Sequence, residues 1–101
     1  MSNKKLRIAV VGGGIGGLTI AIALKQHGID CKVYEQTAEL REVGAAIALS
    51  ANAMRFYDQW GLGPEFDKVG FEVSALIYRD GKTGHVIGNH PAGPAYRERY
   101  G

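Results

Sequence analysis

The run Gly12-Gly13-Gly14-Ile15-Gly16-Gly17 constrains this chain more than any other feature, because Gly12, Gly14 and Gly17 stand in Gly-x-Gly-x-x-Gly spacing. At those three positions a Cβ would block, in turn, a tight bend, the approach of a pyrophosphate and the packing of a helix on a strand. A helix beginning near Ile15 would aim its unpaired N–H groups and the positive end of its dipole at the phosphates, each such interaction contributing roughly 0.3–1 kcal/mol. Gly12, Gly14, Ile15, Gly16 and Gly17 are therefore the candidate phosphate-binding residues, acting through the backbone.

A bare glycine turn arises often by chance, so its flanks decide. Leu6, Ile8, Val10 and Val11 form a short apolar run rich in β-branched residues, which predicts a parallel strand buried on both faces. After the turn, Leu18, Ala21, Ile22 and Leu24 recur at helical spacing, with Ala21 small where a helix approaches a sheet and Gly28 placed to end it. Cys31, Val33 and Tyr34 predict a second strand that closes on Glu35, near the roughly 20-residue separation at which an acid reaches a ribose. Such a carboxylate accepts the ribose hydroxyls and repels a 2′-phosphate, so the site should take FAD or NAD and disfavour NADP.

Downstream, Asn52 to Trp60 reads as a helix with Ser50 or Asn52 as cap, Gly61 as terminator and Trp60 as core anchor. Gly63-Pro64 restarts a short helix that Gly70 closes. Phe71 to Arg79, then Asp80-Gly81-Lys82-Thr83-Gly84, then His85 to Gly88 give the signal of a β-hairpin. The stretch Asn89 to Gly101, with Pro91, Gly93 and Pro94 and no apolar period, is predicted as loop. The fold class expected is therefore α/β: an incomplete Rossmann-like nucleotide-binding domain with a β-α-β start, an added helix pair and an antiparallel hairpin.

Tyr34-Glu35-Gln36, the run from Glu39 through Arg41, Gly44, Ala46, Ala48 and Ala51 to Ala53, and Trp60-Gly61-Leu62 together carry a family likeness. The chain resembles the start of the FAD-dependent aromatic-ring monooxygenases, the salicylate, 3-hydroxybenzoate and 6-hydroxynicotinate hydroxylases among them. The resemblance implies that Glu35 and Gln36 hold the adenosine half of FAD and that Arg41 lies near the pyrophosphate and ribityl chain. It also implies that Gly44 to Ala48 run beside the flavin. Two departures stand out: Ala46 replaces a usual glycine and Ala51 a usual proline. The implied cycle is reduction of FAD by NADH or NADPH, activation of O2 at the flavin, and transfer of one oxygen atom to a small aromatic substrate. The flavin carries that chemistry and the protein supplies grip, orientation and exclusion of water, so no catalytic side chain is assigned.

At 101 residues the chain holds one β-α-β crossover, whereas a doubly wound sheet needs further strands beside the first. The expectation is an N-terminal portion of an FAD-binding domain, residues 1–101 of a longer enzyme, inactive alone and prone to self-association. The alternatives are an NAD-linked dehydrogenase or other flavoprotein oxidoreductase, and a non-catalytic piece stabilised by pairing with another copy. Charged residues at 22% and apolar ones at 46% have the balance of a globular chain. A net charge of +2 without a basic cluster points away from nucleic acid. The lack of a long apolar run or signal peptide points away from membranes and towards the cytoplasm. Cys31 is the single cysteine and is expected as a buried strand residue, and His27, His85 and His90 lack metal-ligand spacing, so no metal is expected.

Overall fold

Two hydrogen-bonded strands joined by a right-length helical crossover form the first part of the structure, a computed structural model that describes residues 5–40 and 46–101. The chain divides into two units, Met1–Ala45 and Ala46–Gly101. In the first, β1 (Ile8–Val11) leads into α1 (Ile15–Gln26) and then β2 (Cys31–Tyr34). β1 and β2 pair in parallel with Ile8 opposite Cys31 and Val11 opposite Tyr34. A parallel pair cannot be closed by a tight turn, and α1 supplies the crossover.

The end of α1 is locked by its backbone. Gly28 adopts the left-handed conformation, φ +71°, while its N–H donates to the Lys25 carbonyl at 3.0 Å and that of Ile29 donates to Leu24 at 2.9 Å. This pairing satisfies carbonyls that the helix itself leaves free, and glycine reaches the required φ without a Cβ penalty. The same two bonds end the first helix of the second unit, from Gly61 to Asp58 and from Leu62 to Tyr57.

β1 is not buried on both faces as expected. Val10 is 9% exposed, whereas Val11 is 88% exposed, because α1 covers one face of a two-stranded sheet and nothing described in this unit covers the other. Cys31 is likewise half-buried rather than buried. The close approach of helix to strand is made at Gly17. A Cβ there would run into the Gly12 carbonyl oxygen and come within 3.4 Å of Val10 Cγ1.

The second unit contains α2 (Ala51–Gln59), α3 (Gly63–Val69), β3 (Ala75–Arg79), β4 (Val86–Pro91) and α4 (Pro94–Tyr100). The β-α-β start, the helix pair and the antiparallel hairpin of the expected α/β fold are thus all present. Ser50 stands at the N-cap of α2, but its hydroxyl bonds the Asn52 side chain, so neither residue caps the helix backbone. The predicted anchor Trp60 is half-buried, and Tyr57 holds the central place at 5% exposure. The Tyr57 ring lies 4.6 Å from Phe66 of α3 and edge-on to Trp60 at 5.8 Å. Tyr57 sits one turn nearer the middle of α2, where α3 folds back over it.

β3 and β4 pair antiparallel from Ala75 opposite Pro91 to Arg79 opposite Val86, with an irregularity after Tyr78. The Asp80 carboxylate accepts the N–H groups of Lys82 at 2.8 Å and Thr83 at 3.0 Å, which shapes the turn and holds the carboxyl below its ordinary range. The loop expected over Asn89 to Gly101 is not found: β4 runs to Pro91 and α4 follows. Pro94 presets the first turn of that helix, the Tyr96 and Tyr100 rings meet at 4.6 Å one turn apart, and Arg97 pairs with Glu72 at 3.3 Å. The tyrosine spacing was the signal for this helix, masked by the prolines and charges around it.

Gly17→Ala should therefore destabilise the first unit by about 1–3 kcal/mol through backbone displacement. Chemical denaturation followed by circular dichroism checks this, and a wild-type midpoint in the variant would exclude the close helix–strand contact.

Candidate dinucleotide-binding site

Gly12 leaves β1 with φ +109°, a conformation side chains rarely adopt, and its N–H donates to the Tyr34 carbonyl at 2.7 Å. That bond prolongs the β1–β2 ladder into the turn. Gly14 follows in extended conformation as the N-cap of α1 and accepts the Leu18 N–H at 2.9 Å. No side chain caps this helix, so the first-turn amides at Ile15, Gly16 and Gly17 remain available to an external acceptor. A Cβ built on Gly14 or Gly16 would meet nothing within 4 Å, which leaves room in front of those amides. A pyrophosphate group fits this arrangement of open space and unclaimed donors.

Gly13, to which the sequence assigned no role, proves equally constrained. It is buried, and its N–H donates to Glu35 Oε1 at 3.0 Å. A Cβ at Gly13 would lie 2.9 Å from Glu35 Cγ and 3.0 Å from Leu40 Cδ2. The turn and the acid therefore touch directly.

Glu35 is half-buried just beyond β2. Its second oxygen, Oε2, accepts the Thr37 N–H at 2.7 Å and the Thr37 hydroxyl at 2.6 Å. These donors favour the ionised carboxylate. The Thr37 hydroxyl contributes most, the Gly13 and Thr37 N–H groups follow, and together they bring the pKa down from 4.5 to about 2. Thr37 is a residue that sequence reasoning missed. A threonine two residues after an acid is a common local turn, and only the fold shows that it grips the acid facing the glycines.

Gly12, Gly14, Ile15, Gly16, Gly17 and Glu35 are thus gathered at one end of the β1–β2 pair, with the exposed Gln36 next to Glu35. Arg41 and Gly44 lie outside the described residues. Ala48 is exposed in the second unit, as are Ala46 and Ile47. The second unit also has an open cavity of about 260 Å³ lined by Ala51, Asn52, Arg55, Tyr96 and Tyr100, which includes none of the predicted site residues. Among the described residues no group of three His, Cys, Asp or Glu side chains could hold a metal ion, and no helix is long and apolar enough to cross a membrane.

Comparison with known proteins gives this geometry a context. The FAD binding domain family matches residues 5–93. The chain is 38% identical over 96 residues to a 3-hydroxybenzoate 6-hydroxylase from Polaromonas naphthalenivorans, covering 95% of this chain and 24% of that protein. It is 42% identical over 79 residues to an FAD-dependent urate hydroxylase from Klebsiella pneumoniae, covering 78% and 21% respectively. Among solved structures, 2,6-dihydroxypyridine-3-hydroxylase from Arthrobacter nicotinovorans matches with a TM-score of 0.64 at 36% identity, over 90% of this chain and 23% of that one. The chain spans about a quarter of the length of these relatives.

The network around Glu35 has a pH signature. Its folded pKa lies below its ordinary value, so its contribution to stability is present above about pH 4.5 and is lost as pH falls from there through about 2. The Glu35 carboxyl carbon, followed by NMR, should titrate near pH 2, and a midpoint near 4.5 would remove the three donors from the account.

Proposed function

This chain belongs to the FAD binding domain family, and on that premise we propose that it is the N-terminal, FAD-gripping portion of a flavin-dependent monooxygenase that hydroxylates a small aromatic substrate. The observation that carries this reading is the Gly13–Glu35 hydrogen bond, which sets an ionised acid beside an uncapped helix start at the end of a parallel strand pair. When bound, FAD supplies the electron transfer from NADH or NADPH and the activation of O2.

The chain's own residues supply grip. The backbone amides at Gly14, Ile15, Gly16 and Gly17 hold the pyrophosphate and the dipole of α1 adds to their attraction, while Gly12, its own N–H held by the Tyr34 carbonyl, shapes the turn through its positive φ. Glu35 accepts a ribose hydroxyl of the adenosine half, and its negative charge, maintained to low pH, repels a 2′-phosphate. Gln36 lies against the adenosine, while Arg41 and the backbone at Ala48 serve the pyrophosphate and flavin side. No substrate-binding residue is assigned within this chain, which spans about a quarter of the length of the matched relatives. Hydroxylases among those relatives favour this reading over an NAD-linked dehydrogenase. The protein acts in the cytoplasm on a small-molecule substrate, and self-association would cover apolar side chains such as Val11 and Phe71, which are 88% and 92% exposed.

In the full-length protein, Glu35→Ala should weaken FAD binding by about 10- to 100-fold, the scale of a lost charge-assisted hydrogen bond. Isothermal titration checks this, and NADP bound as tightly as FAD by the wild type would overturn the ribose assignment. Gly14→Val should lower flavin occupancy further, because its side chain would fill the space before the helix amides. An unchanged flavin absorbance spectrum in that variant would place the pyrophosphate elsewhere.

A further inference from the structure

We propose that Thr37 is a positioning residue of the nucleotide site, holding Glu35 from behind so that its carboxylate meets the adenosine ribose already oriented. The proposal rests on the assignment of Glu35 to that ribose. A glutamate has three side-chain torsions to order, and an acceptor that must be ordered during binding contributes less affinity than one ordered beforehand. The chain's own donors order Glu35. Gly13 N–H holds Oε1 at 3.0 Å, while the Thr37 N–H and hydroxyl hold Oε2 at 2.7 and 2.6 Å. Two donors from one residue on one oxygen, with a third on the other oxygen, fix both the position and the plane of the carboxylate.

The hydroxyl has a second relation that tightens this role. Thr37 Oγ1 also lies 3.0 Å from the Glu39 carbonyl oxygen. A hydroxyl donates a single proton, so it can bond either Glu35 or the Glu39 carbonyl. Turning that proton to Glu39 would release a lone pair on Oε2 for a ribose hydroxyl while the Thr37 N–H kept its hold. Thr37 thereby allows one carboxylate to be both restrained before binding and open to the sugar during it. The hydroxyl is also the largest contributor to the low pKa of Glu35, in keeping with its direct contact with the charge.

The test measures coupling between Thr37 and the ribose hydroxyls. The protein, freed of flavin, is titrated with FAD, ADP and 2′,3′-dideoxy-ADP in wild type, Thr37→Val and Thr37→Ser. Valine retains the shape and the backbone N–H and removes the hydroxyl. In wild type, ADP should bind about tenfold more tightly than the dideoxy probe, the value of a charge-assisted hydrogen bond. In Thr37→Val that ratio should fall to about twofold with the dideoxy affinity unchanged, and Thr37→Ser should restore it. A full wild-type ratio in Thr37→Val overturns the proposal alone. An equal loss of both probes in that variant also overturns it, by showing a merely structural role. A wild type that binds FAD yet does not distinguish the two ADP probes overturns the assignment of Glu35 to the ribose, and a wild type that fails to bind FAD overturns the functional reading beneath it.

Discussion

The hydrogen bond from the Gly13 N–H to Glu35 is the contact on which the site depends. It joins the turn after β1 to the residue after β2, across the whole α1 crossover, and so converts a pattern spread along the chain into one place. The parallel register makes it reachable. Val11 opposes Tyr34, the Gly12 N–H continues the ladder onto the Tyr34 carbonyl, and Gly13 and Glu35 then stand one step further along. A shift in strand pairing would separate the helix start from the acid and leave a partly buried carboxylate without its donors, a costly arrangement.

A site made of backbone has particular steric demands. The turn presents its amides through position alone, and its glycines answer to their surroundings: Gly13 to Glu35 and Leu40, Gly17 to the Gly12 carbonyl, and Gly14 to the open space in front of the helix. The side chains that matter are those that hold the acid. Glu35, Gly13 and Thr37 form a small charge-assisted network in which the donors surround one carboxylate, and its low pKa is a consequence of that geometry rather than of burial.

Much of the fold was visible in the residue order. The strand–turn–helix–strand start, the two helices bounded by Gly61 and Gly70, and the hairpin around Asp80 each followed from short-range signals: glycine spacing, helical periodicity and turn residues. The failures have two causes: a local signal masked by its neighbours, at α4, and the need to know what another segment does, at Tyr57 and β1. α4 lay hidden under Pro91, Gly93 and Pro94, although Pro94 suits a first turn and Tyr96 and Tyr100 support one another. Tyr57 displaced Trp60 from the centre because α3 returns over it. β1 kept an uncovered face because apolar composition tells which side chains prefer burial, not whether the chain at hand supplies a cover.

For the candidate site, the sequence by itself determined the glycine turn and the acid just after β2, because Gly-x-Gly-x-x-Gly spacing and a distant carboxylate reflect steric and charge requirements local to each residue. Only the tertiary structure decided which groups hold that acid. Gly13 is far from Glu35 along the chain, and the pairing of β1 with β2 is what brings its N–H to the carboxylate and leaves Thr37 to close on the other oxygen. Hydrogen bonds between remote residues depend on register and on the direction of each donor, and neither is written in the identity of the residues that make them.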